Sequence, residues 1–129
     1  MGRSENEISG IIVDAAIKVH RVLGPGLLES VYMCALAIEL KKRGLHVLRE
    51  VPIRAEWEGE DLGMGFRADM IVENLVLIEG KALEKLAKVH LRQLRTHVGL
   101  TKKKLGLLLN FGTALMKDGI TRHVEGLEE

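Results

Sequence analysis

The sequence predicts an α/β domain with a mixed sheet, and three observations carry that expectation. Apolar residues recur at helical spacing up to Gly44, then at strand spacing from Val47. Helical spacing returns from Leu83 to about Val98. Leu105 to Phe111 is then an unbroken apolar run, the pattern of a strand covered on both faces. The order is helix, helix, three strands, helix, strand: an α/β sandwich.

Each element has a local reason. Ser4 and Glu7 have the spacing of a capping box, and Ile8, Ile12, Ala15 and Val19 follow on one helical face. This helix is expected to run to about Arg21 and to break at Leu23-Gly24-Pro25-Gly26. A second helix is expected from near Leu27 to Gly44, with Leu28, Val31, Tyr32, Ala35 and Ile38 inward. Its basic end, Lys41-Lys42-Arg43, suits a helix C-terminus. Pro52 marks Val47–Trp57 as an edge or irregular strand. Glu58 to Asp61 reads as a turn. Met64 to Val72 reads as a strand with Phe66, Ala68, Met70 and Val72 on one face. Glu73-Asn74 turns the chain into Leu75–Glu79, and Ile120–Val124 completes the set as a short last strand.

The 129 residues suit one domain spanning the whole chain, with 19 basic and 18 acidic side chains and a formal charge of +1. No bulk field points to nucleic acid or membrane. A single cysteine, Cys34, allows no internal disulfide, and its mid-helix place suggests core. No segment reads as a signal peptide or membrane span, so a cytoplasmic location is expected. Aromatic residues make up only 3% of the chain, which disfavours base stacking on an aromatic platform.

The chemistry concentrates in "DMIVENLVLIEGK", Asp69 to Lys81. Residues two apart on a strand share a face, so Glu79 and Lys81 point the same way. Asp69 shares the parity of Arg67 and Ile71. A hairpin turning at Glu73-Asn74 can bring Asp69 near Glu79. Two carboxylates at cross-strand distance repel unless a proton or cation lies between them. Oxygen donors of this kind suit Mg2+ or Mn2+, and the Gly80 carbonyl is open to approach. A neighbouring Lys81 can orient a water or stabilise charge on a phosphoryl oxygen. From spacing alone, the more economical reading is a salt bridge from Lys81 to Glu79 or Asp69. Glu29, in the first turn of its helix, lies on a line with Met33, Leu36 and Leu40 that is expected to flank the buried face. Gln93 lies at the edge of the later helix's apolar stripe, where it could reach a cleft. His90 and His97 read as boundary histidines, and His20 as a helix-end residue. Lys102-Lys103-Lys104 reads as a solvated strand entrance.

Gly26, Glu29 and Tyr32 fit the pattern GxxExxY. The segments "VHRVLGPGLLESVY", "FRAD", "EGKALEKL", "HLRQL" and "LGLLLNFG" also occur in order and spacing. Together they resemble the GxxExxY family of small bacterial and archaeal proteins, over about Ile8 to Val124. That family is placed within the PD-(D/E)xK nuclease-like superfamily. The resemblance implies a restriction-endonuclease-like core, a mixed sheet of about four strands flanked by helices. It implies metal ligation by Asp69 and Glu79, with the Gly80 carbonyl, and a second metal or a metal-bound water at Glu29. Lys81 would position the attacking water, and Gln93 would orient Lys81 or touch a phosphate. The implied activity is a Mg2+- or Mn2+-dependent nuclease acting on DNA more readily than RNA. The alternative is a catalytically weak or inactive nucleic-acid-binding or protein-interaction module. Hydrolysis of a small phosphate substrate is the third reading. The small size and near-zero charge favour a homodimer or a partner supplying further contact area. One departure is Gly80, where the family pattern usually has an apolar residue; it predicts a loosened strand and reduced activity.

Overall fold

The protein is described by a computed structural model covering residues 2–128. Helix α1 (Glu5–Leu23) opens on the expected capping box. The Glu7 N–H donates to the Ser4 hydroxyl and the Ser4 N–H to the Glu7 carboxylate, each at 3.2 Å. The helix ends at Gly24, whose φ of 75° few other residues tolerate.

Helix α2 (Glu29–Lys42) is shorter than expected and turned differently. Its buried residues are Tyr32, Met33, Leu36, Ala37 and Leu40, while Leu28, Val31 and Ile38 are exposed. The line through Met33, Leu36 and Leu40 is the core stripe rather than its flank. Cys34 is exposed rather than core. The physical reason is that α2 carries apolar residues nearly all round, so periodicity does not fix its rotation. Tyr32 fixes it instead. Its hydroxyl donates to the Gly24 carbonyl at 2.5 Å and accepts the Leu27 N–H at 3.1 Å. Its ring stacks on Phe111 at 4.8 Å.

Five strands form one sheet in the order β1 (Val47–Trp57), β2 (Glu60–Val72), β3 (Val76–Lys81), β4 (Leu105–Asn110), β5 (Ile120–Val124). Only β3 and β4 pair in parallel, so the sheet is mixed. Helix α3 (Lys88–Thr101) makes the crossover that a parallel pair requires. Strand β1 lies at the edge, where Pro52 costs no ladder bond. The β2–β3 turn has φ of 54° at both Glu73 and Asn74, the sign a tight two-residue hairpin needs. The Glu73 carboxylate accepts the His46 N–H at 2.9 Å, which anchors this unusual glutamate conformation.

Two expected boundaries move. Strand β2 starts at Glu60, because the turn is made by Glu58 and Gly59 alone. Helix α3 starts at Lys88 rather than Leu83. Asn110, buried on β4, grips the Leu83 backbone: its Oδ1 accepts the Leu83 N–H at 2.9 Å and its Nδ2 donates to the Leu83 carbonyl at 3.0 Å. Leu83 is thereby held out of the helix. His90 then caps α3, its Nδ1 accepting the Ala87 N–H at 2.9 Å.

The core has two parts. On one face of the sheet α1 and α2 pack against Met70, Val72, Val76, Ile78, Leu107 and Leu109. On the other, Leu94 and Val98 of α3 pack against Ala68, Ile71, Leu77 and Leu108. Strand β2 pairs with β3 only over Met70–Val72, yet it pairs with β1 along nearly its full length. The outer halves of β1 and β2 therefore form a two-stranded ribbon. Its register shifts at Ile53/Arg54 and Ala55/Glu56 bend it.

Candidate functional site

Residues 68–71 break the alternation of β2. Ala68 and Ile71 both join the α3 face, three positions apart, whereas Met70 and Val72 join the opposite face. Regular pleating would place Ala68 with Met70. The single face expected for Phe66, Ala68, Met70 and Val72 is thus divided, and Asp69 no longer shares a face with Ile71. Opposite the break, Glu50 has φ of 54°, and neither Glu50 nor Asp69 appears in the β1–β2 ladder between Arg49↔Met70 and Val51↔Ala68. The irregularity turns Asp69 toward α2. There Asp69, Glu29, Ser30, Met33, Arg49 and Glu50 line a cleft of about 180 Å³.

The break also ends the β2–β3 ladder, since pairing stops at Met70↔Ile78. Beyond it the Asp69 side chain takes over. Its Oδ2 accepts the Gly80 N–H at 2.9 Å. A Cβ at Gly80 would lie 2.4 Å from Met33 Sδ, so Met33 occupies the space a side chain would need. Gly80 is fully paired with Leu109 of β4 and buried. The loosening expected from this glycine is therefore offset: α2 approaches the strand directly.

Glu79 points to the other face, toward α3. It is only 8% exposed, and its Oε1 lies 2.8 Å from Nδ1 of His97. The His97 ring stacks on Phe66 of β2, with centroids 3.7 Å apart and planes 4° from parallel. This histidine was expected to be a satisfied boundary residue; its partner is Glu79. Gln93 lies one turn before it on the same side of α3, exposed, as the sequence spacing suggested.

Lys81 makes no ion pair among the described residues, so the salt-bridge reading is corrected: Glu79 is taken by His97 and Asp69 by an amide. Its charge still reaches all three acids. Burial raises the pKa of Glu29, and the Asp69 charge adds to the rise while Lys81 opposes it. Burial likewise raises Asp69, against the stabilising Gly80 N–H, with Glu50 raising it further and Lys81 lowering it. Burial raises Glu79, against His97, with Asp69 raising it and Lys81 lowering it. Elements α2, β2 and β3 thus bring three carboxylates and one ammonium into a common field.

Chemically, an all-oxygen set of crowded, partly buried carboxylates suits a hard divalent cation, which would relieve the repulsion. The acids do not converge on a ready-made centre. Among the described residues no three His, Cys, Asp or Glu side chains are grouped to hold a metal ion. The divided orientation explains this: Asp69 faces α2 and its Glu29, whereas Glu79 is held toward α3. Sequence reasoning missed Glu50 and the partnership of His97. The i, i+4 spacing of Gln93 and His97 was the available signal for the second; nothing in the sequence marks the left-handed conformation of Glu50.

Among the described residues no helix is long and apolar enough to cross a membrane. The chain matches the family model described as PD-(D/E)XK nuclease superfamily over residues 6–123, and it belongs to that superfamily. Its mixed sheet flanked by helices accords with a restriction-endonuclease-like core. No curated protein and no solved structure gives a significant match.

Proposed function

We propose that this member of the PD-(D/E)XK nuclease superfamily hydrolyses phosphodiester bonds in nucleic acid, DNA in preference to RNA. One observation carries the reading: Lys81 lies within electrostatic reach of Glu29, Asp69 and Glu79 without pairing with any of them. A lysine without an ion pair is available to an anionic substrate.

In this reading Asp69 and the Gly80 carbonyl would hold Mg2+ or Mn2+ together with Glu79 once that carboxylate turns from His97, and Glu29 would hold a second ion or its bound water. When bound, such an ion acts as a Lewis acid toward phosphoryl oxygen and lowers the pKa of a coordinated water. The chain's own groups do the rest. Lys81 stabilises negative charge as it develops on the phosphoryl group. Gln93 reaches a phosphate oxygen or steadies Lys81. The Gly80 N–H fixes one oxygen of Asp69 and leaves the other open. Tyr32 closes the turn before α2 and so sets the height at which Glu29 enters the cleft. With Gly26 and Glu29 it completes the motif by which we assign the chain to the GxxExxY family.

The second reading is a nucleic-acid-binding module without turnover. The hydrogen bond between His97 and Glu79 favours it, because that carboxylate is already engaged. Incubation with single-stranded, duplex and nicked DNA and with RNA, in Mg2+ and in Mn2+, separates the two. Cleavage that falls at least about 100-fold in Asp69→Ala and in Lys81→Ala is expected. Cleavage surviving both substitutions would remove the site. Metal binding without cleavage of any substrate would favour the second reading.

A further inference from the structure

Charge along this nearly neutral chain is segregated. Residues 85–117 contain eight Lys or Arg and no Asp or Glu, leaving eleven basic against eighteen acidic residues elsewhere. Helix α3 lies wholly within this stretch. One flank of α3 carries His97 to Phe66 of β2 and Glu79 of β3. The other faces β5 across a cleft of about 280 Å³, lined by Leu91, Arg92, Arg95, Thr121, Arg122 and His123 among others. Among the described residues Arg92 and Arg95 form no ion pair. Arg122 is bonded to Asn6, and His123 Nε2 lies 2.9 Å from Glu125 Oε1, so these two line the cleft with their donors partly engaged. Two guanidiniums without an ion pair among the described residues, beside Thr121, have the donor geometry that suits phosphate oxygens.

The cleft is level with Glu79. Glu79 pairs with Leu108 of β4, and Leu108 pairs with Thr121 of β5, so the three stand in one row across the sheet. Two strand spacings put Thr121 about 10 Å from Glu79 along that row. That is about three nucleotides of stacked single strand at roughly 3.4 Å each, and somewhat more for a path over α3.

We propose that the α3–β5 cleft binds the phosphodiester backbone of a nucleic acid strand a few nucleotides from the bond presented to Glu29, Asp69 and Glu79. This deepens the nuclease reading and rests on it for the identity of the strand. The cleft supplies the charge that the near-neutral total does not, and it sets the direction in which a strand leaves the carboxylates.

The test is fluorescence anisotropy with a labelled oligothymidylate of about 12 nucleotides, longer than the span above, over a salt series in EDTA. Wild type is compared with Arg92→Ala/Arg95→Ala, with Arg92→Lys/Arg95→Lys, and with Lys41→Ala/Lys42→Ala at the far end of α2. Loss of two phosphate contacts is expected to weaken binding and to reduce the slope of log affinity against log salt by about 1.4. The lysine pair should restore the slope, and the α2 control should keep it. An unchanged slope in the alanine pair would overturn the proposal, as would an equal loss in the α2 control. Competition by polyglutamate as effective as that by unlabelled oligothymidylate would overturn it too. Because metal is absent, binding is read separately from cleavage. A cleft-dependent slope with no cleavage in Mn2+ leaves this site standing and removes the nuclease. Cleavage with no dependence on Arg92 and Arg95 does the reverse.

Discussion

Replacing Gly80 by alanine measures how closely α2 and β3 are matched beneath the carboxylates. The new Cβ would lie 2.4 Å from Met33 Sδ, 2.8 Å from Cγ and 3.4 Å from Cε. The two nearest atoms are in the middle of the side chain, so Met33 must change rotamer rather than move its tip. Methionine yields more easily than leucine, which limits the penalty. Overpacking costs about 1–3 kcal/mol, and lost unfolded-state freedom returns about 0.4–1 kcal/mol. The expected net loss is about 1–2 kcal/mol, or roughly 4–8 °C in melting temperature. Met33→Ala alone opens a cavity and should cost about 2–5 kcal/mol. The double variant lets the alanine methyl occupy part of that cavity. It should be more stable than additivity predicts by at least about 1 kcal/mol. Urea unfolding followed by circular dichroism gives all four corners of the cycle. Additivity within about 0.5 kcal/mol would mean that Met33 is not what keeps residue 80 small.

Two further outcomes follow from the same site. Glu29, Asp69 and Glu79 all have folded pKa values above the ordinary 4.5, 3.8 and 4.5. The folded chain therefore binds more protons than the unfolded one above those values, and their contribution to stability declines as pH rises through the folded values. Asp69→Asn should raise the metal-free melting temperature at neutral pH and flatten its pH dependence between acid and neutral; an equal slope in both proteins would contradict the assignment. Tyr32→Phe keeps the stack on Phe111 but leaves the Gly24 carbonyl and the Leu27 N–H without their partner. A loss of about 1–3 kcal/mol in urea unfolding is expected, and a change below about 0.5 kcal/mol would show that the hydroxyl does not hold the turn.

The sheet was legible because its signals are local and strong. Leu105–Asn110 is buried at every position, as the apolar run Leu105–Leu109 requires, and Pro52 does lie on an edge strand. The rotation of α2 was not legible, because its apolar residues surround the helix and a tyrosine hydroxyl five residues from the Leu27 amide decides which side faces in. The start of α3 was misplaced because the competing interaction comes from Asn110, 27 positions away. The acids themselves could be picked out by residue type and spacing. Their orientations could not, since the break in alternation at Asp69 depends on a left-handed Glu50 on another strand. The partnership of His97 with Glu79 spans 18 positions and needs Phe66 beneath the ring.

The ribbon made by the outer halves of β1 and β2 gives the molecule two stabilities instead of one. It leans on α3: a Cβ at Gly65 would meet Leu100 at 2.8 Å, and Phe66 carries the His97 ring. Beyond Ala68 it shares no ladder with β3, so it can peel away while the sheet beneath stays shut. Amide hydrogens on that arm would then exchange long before those of β3 and β4. Each opening would lift Phe66 from His97 and loosen the imidazole that orients Glu79.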